Sequence, residues 1–136
     1  MITLSIPSRL NELDRVLDFV NIGLEVYACT MEVWQEIQWT VQTVFLSIIQ
    51  YAYPINEGIV KISLNYIEVQ QAIEISFFDQ GVPYNPLESL NPSLRYNTEN
   101  YLEGGVGISV LENSTDKSNY IYLNRKNVTT IKKYLR

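Results

Sequence analysis

The chain has 136 residues, a formal net charge of −5 and no histidine. This length fits one domain, spanning 1–136, around one core, and the acidic balance argues against binding nucleic acid through its phosphates. Without histidine, Ser-His-Asp and Cys-His catalysis are excluded and the commonest metal ligand is gone, leaving carboxylates, a lysine, or a bound nucleotide and its metal. No apolar run reaches a membrane-spanning length, and Met1–Pro7 lacks the basic start and apolar core of a leader. A single cysteine, Cys29, allows no internal disulfide and fits a reducing cytoplasm, where it is expected as a buried structural thiol.

Ile2, Leu4 and Ile6 alternate with polar residues, predicting a strand over 2–6 that ends at Pro7. Ser8 is placed to cap a helix. Leu10, Leu13, Leu17, Val20 and Leu24 then form one apolar stripe, with Asp14, Arg15 and Asp18 on the solvated face. Thr30 is a second cap. Trp34, Ile37, Val41, Val44, Phe45, Ile48 and Ala52 continue a longer, more apolar helix that ends at Tyr53-Pro54. Thr43 and Ser47, four residues apart, share one face of it. Val60, Ile62, Leu64 and Tyr66 predict a strand after the turn Asn56-Glu57-Gly58, and Ile73–Phe78 predicts its antiparallel neighbour. Residues 84–103 have poor periodicity and read as a long functional loop. A short helix carries Ile108, Val110 and Leu111. Residues 119–124 and 127–133 close the chain as a hairpin turning near Arg125-Lys126. The fold class is therefore α+β: a two-layer α/β sandwich, with helices on one face of a mainly antiparallel sheet.

The strand Ile73–Phe77 delivers one carboxylate, Asp79, to its end, followed by Gly81 and Pro83. Such an acid either accepts a hydrogen bond from a ligand or closes an Asx-type turn. Gly81 marks a sharp turn or a close approach to the backbone. A second glycine cluster, Gly104-Gly105-Val106-Gly107, follows the loop and tips the balance toward a ligand site.

The two motifs together resemble the nucleotide site of the Bergerat-fold ATPases, a superfamily that includes gyrase, the histidine kinases and the anti-sigma-factor serine kinases. The anti-sigma regulatory factors are the more similar group. Phe78-Asp79-Gln80-Gly81-Val82-Pro83-Tyr84-Asn85-Pro86-Leu87 resembles their G1 box, and Gly104-Gly105-Val106-Gly107-Ile108 their G2 box. Tyr51-Ala52-Tyr53 looks like the end of their second helix. Asp116, Tyr120 and Lys126–Lys133 sit where their closing hairpin has comparable residues. The likeness implies ATP or ADP as ligand. Asp79 would then accept the adenine amino hydrogen, a bond contributing about 1.5–3 kcal/mol, with Gly81 and Pro83 shaping the base pocket. Gly104, Gly105, Val106, Gly107 and Ile108 would present N–H groups to phosphates, under a lid over 84–103. Asn127, Thr129 or Thr130 would complete the adenine water network.

The family carries Glu-x-x-x-Asn on its second helix, the general base and the magnesium ligand. Here those positions align with Thr43 and Ser47. Threonine has no accessible pKa and cannot take a proton from an attacking hydroxyl. Serine still offers an oxygen to Mg2+. The nearest acids, Glu32 and Glu36, lie about two or more turns away. Three readings follow. The first is an anti-sigma-like protein that binds adenine nucleotide and a sigma factor or antagonist, with impaired kinase activity. The second is an active serine/threonine kinase that phosphorylates an antagonist from Mg-ATP. The third is a scaffold with no nucleotide. The resemblance also implies a homodimer built on the sheet or helix layer.

Overall fold

The computed structural model of the protein describes residues 1–89 and 117–135. The loop from residue 90 onward, Gly104–Ile108, the helix expected around Val110 and Leu111, and Asp116 lie outside the described residues. The described elements run β1 (Ile2–Pro7), α1 (Leu13–Leu24), α2 (Met31–Ser47), β2 (Ile59–Ile67), β3 (Ala72–Asp79), β4 (Lys117–Leu123) and β5 (Lys126–Tyr134). The five strands form one sheet in the order β1-β2-β3-β5-β4, and every pairing is antiparallel.

Period-two alternation decides what faces the helices. Val60, Ile62 and Leu64 of β2 point inward with Ile73, Ile75 and Phe77 of β3 and Ile131 of β5. They meet Val16, Val20 and Leu24 of α1 and Ile37, Val41, Val44 and Phe45 of α2 in one buried cluster. Phe77 and Phe45 are its largest fully buried side chains, and truncating such a ring typically costs about 3–5 kcal/mol. The predicted sandwich of helices on one sheet face is the observed one. No helix among the described residues is long and apolar enough to cross a membrane.

Two local expectations need correction. Ser8 does not cap a helix: its Oγ accepts from the Gly58 N–H at 3.0 Å, and the chain enters α1 through a 3-10 turn at Leu10–Glu12 without a side-chain cap. Cys29 is only half-buried against the core, and burial pushes its thiol pKa up. Thr30 does cap α2, accepting from the Val33 N–H at 3.1 Å. The end of α2 also departs from a plain helix. Ile48–Ala52 form a π turn, closed by the Tyr53 N–H on the Ile48 carbonyl at 3.1 Å. Such turns are rare and often sit beside functional sites.

Candidate nucleotide site at the end of the third strand

The alternation that turns Ile73, Ile75 and Phe77 inward turns Asp79 inward too, and the side chain is 3% exposed. Its neighbours in register are Val60 on β2 and Asn127 on β5. Asp79 Oδ1 accepts from the Gly81 N–H at 2.9 Å and from Asn127 Nδ2 at 2.7 Å. The first of these is an Asx turn. No described residue donates to the other carboxylate oxygen. Burial pushes the Asp79 pKa up, and the bonds from Asn127 and Gly81 pull it back down.

The segment after Asp79 is held at every backbone donor it has. Gln80 N–H donates to the Tyr53 hydroxyl at 2.8 Å, and Val82 N–H donates to the Ala52 carbonyl at 2.8 Å. Tyr84 N–H reaches Asn127 Oδ1 at 3.3 Å. Pro83 has no N–H to satisfy. The Ala52 carbonyl is one of the acceptors that the end of α2 leaves without a helical partner. The loop satisfies it, and so fixes α2 against β3. Tyr53 adds a second tie, donating its hydroxyl to the Ile59 carbonyl at 3.0 Å.

Gly81 is the residue that allows this contact. A Cβ there would lie 2.3 Å from the Ala52 carbonyl oxygen. No described glycine has positive φ. The close approach foreseen at Gly81 is made by the protein's own backbone.

Asn127 is fully buried and uses its whole amide. Nδ2 donates to Asp79 Oδ1 and to the Val82 carbonyl at 3.0 Å; Oδ1 accepts from Tyr84 N–H and from the Tyr120 hydroxyl. A primary amide offers two donors and about two acceptor sites, so Asn127 has nothing left for a water or a base. It holds Asp79 and the loop. Thr129 differs. It is inward, 1% exposed, and its buried Oγ1 has no hydrogen-bond partner among the described residues. Thr129 is a diagonal cross-strand neighbour of Asp79, a separation of about 7–8 Å between such residues. Thr130 faces outward and bonds the Ser76 hydroxyl at 3.1 Å. A carboxylate oxygen with acceptor capacity left and an orphan hydroxyl therefore share one buried patch, which suits a ligand that presents donors, such as an adenine edge with its water.

On α2, Ser47 is buried and Thr43 half-buried, five and nine residues before the Ala52 carbonyl. Glu36, an acid nearest in sequence to the expected base position, is paired with Lys133 of β5 at 2.6 Å. Tyr51 and Tyr84 stack at 4.6 Å between ring centroids, joining the π turn to the loop. Among the described residues no three acids or cysteines cluster as metal ligands. Gly104, Gly105, Val106, Gly107 and Ile108 lie outside the described residues. Sequence reasoning gave Tyr53 no role of its own and none to the hydroxyl of Tyr120. The one available signal for Asn127 as a holder was a polar side chain at an inward position of a strand.

An antiparallel sheet backed by two helices, with a buried acid at the end of a central strand and the second helix ending against it, makes an α/β sandwich with a candidate ligand site at that junction. The sequence matches the family described as Histidine kinase-like ATPase domain over residues 6–133, and the chain belongs to that family. Membership carries binding of ATP or ADP with it. No curated protein matches the chain.

Proposed function

We propose that the chain is an anti-sigma regulatory factor-like protein that binds adenine nucleotide and a regulatory partner, a sigma factor or its antagonist, with phosphoryl transfer impaired. The observation that carries the nucleotide reading is Asp79. Its Oδ1 is locked by Asn127 and Gly81, so the carboxylate is aimed, and the second oxygen is left to accept from an amino group. Thr129 Oγ1 supplies a place for a bridging water. The bound nucleotide would supply the polyphosphate. This chain's own residues orient the base, and the Val82 and Tyr84 contacts fix the start of the loop.

The impaired chemistry rests on the second helix. Thr43 cannot serve as a base at neutral pH, and Glu36 is held by Lys133. Ser47 is the candidate oxygen for Mg2+.

Calorimetry with ADP, with and without Mg2+, on the wild type and Asp79→Asn tests the site. The variant should lose about 1.5–3 kcal/mol, on the order of tenfold to a hundredfold in Kd. Equal heats for both proteins reject the assignment. Phosphate incorporation into a candidate antagonist by the unmodified chain would instead support the active-kinase reading.

A further inference from the structure

The outward face of the sheet has a character of its own. Among the described residues no helix covers it, since α1 and α2 both pack on the inward face. Four of the chain's five lysines point there: Lys61, Lys117, Lys126 and Lys132. The fifth, Lys133, faces inward and pairs with Glu36. The only acid on the outward positions of the described strands is Glu74. A protein with net charge −5 thus presents a strongly positive sheet face. None of these four lysines makes a carboxylate ion pair among the described residues.

The face is also apolar at one end. Ile121 and Leu123 of β4 are 45% and 56% exposed and lie beside Val128 and Lys126 of β5. Next to them a shallow cavity of about 280 Å³ is lined by Ile59, Lys61, Phe78 and Lys126, and at its far side by Asp79 and Gln80. We propose that this outward sheet face docks a partner protein through an acidic segment that carries aliphatic side chains.

Two other occupants fit less well. Nucleic acid would need stacking platforms, but the aromatic side chain here, Phe78, has the Lys61 ammonium over its ring at 5.4 Å. A second copy pairing the same face about a two-fold axis would set lysines against lysines. The inference rests on different side chains from the nucleotide reading: Asp79 is held by Asn127 and Gly81, whereas the docking face is carried by Lys61, Lys126 and Leu123, although Lys61 and Lys126 border the same cavity as Asp79.

The test is fluorescence anisotropy with short labelled peptides repeating Glu-Glu-Leu, Gln-Gln-Leu or Glu-Glu-Ser, and with poly(U) RNA. The Glu-Glu-Leu peptide should bind saturably and more tightly than the other three probes, and should weaken as salt rises. The double variant Lys61→Glu/Lys126→Glu should weaken it by about tenfold or more, and Lys61→Arg/Lys126→Arg should restore it. Leu123→Ser should weaken it without changing the salt dependence. ADP binding and the thermal midpoint should stay at wild-type values in Leu123→Ser and in Lys61→Arg/Lys126→Arg, which separates failure here from failure of the nucleotide site. Absent or unsaturable peptide binding, equal binding by the charge-reversed protein, or tighter binding of poly(U) would overturn the proposal. Sedimentation showing self-association that charge reversal abolishes would also overturn it, in favour of a second copy.

Discussion

Burial raises the Asp79 pKa above its ordinary 3.8, while the Asn127 amide and the Gly81 N–H lower it in turn. Burial prevails, so the folded protein holds this proton more tightly than the unfolded chain does. The linkage then has a definite sign. At neutral pH the buried charge is a penalty on the folded state. The penalty lifts as the pH falls through the folded-state pKa, which lies above 3.8. Asparagine at this position keeps an oxygen for both donors and carries no charge. Asp79→Asn should therefore melt at or above the wild-type temperature at neutral pH, and the gap should close as the pH falls through that window. Calorimetric melts at a series of pH values check this. A variant less stable than wild type at neutral pH would mean that the hydrogen bonds to the ionised form outweigh its burial.

At the scale of elements, the β4–β5 hairpin turns through Asn124 and Arg125, with φ of 54° and 62°. This is the left-handed pair that a two-residue hairpin loop needs. Asparagine tolerates it, but arginine incurs a steric cost. Arg125→Gly should stabilise the protein by about 1 kcal/mol after allowing for glycine's freer unfolded chain, seen as a higher urea midpoint at unchanged slope. The same hairpin shows where reading the sequence stopped. Ile73, Ile75 and Phe77 share one phase, so Asp79 could be placed inward from its own strand. In β5 the apolar residues Val128 and Ile131 fall on opposite phases. The alternation could not decide between Asn127, Thr129 and Thr130, and pairing with β3 decides it. Ser8 failed as a cap for a related reason: its hydroxyl serves Gly58, fifty positions along the chain. Contacts this distant leave no local signature. Thr30, whose partner is three residues away, was legible.

Across the whole molecule, the candidate site joins the end of α2, the end of β3 and the inward edge of β5, so a ligand there braces all three. The orphan hydroxyl of Thr129 makes this measurable. A buried hydroxyl without a partner costs about 1–3 kcal/mol. Valine has the same shape and no such cost. Thr129→Val should therefore raise the stability of the nucleotide-free protein by about 1–2 kcal/mol. The wild type should gain more from ADP, because a ligand at a hundredfold excess over Kd adds about 2.7 kcal/mol, on the order of 10 °C in Tm for a chain of this size. In the variant the ADP shift should shrink, since the hydroxyl that positions the bridging water is gone. Thermal melts of both proteins across an ADP series measure the two effects together. A variant that is stabilised and yet keeps the full ADP shift would leave Asp79 as the sole recognition group. One that is destabilised would show that Thr129 already has a partner in the folded protein. The expected crossing, more stable alone and less responsive to nucleotide, marks a residue that lowers the stability of the fold in order to bind.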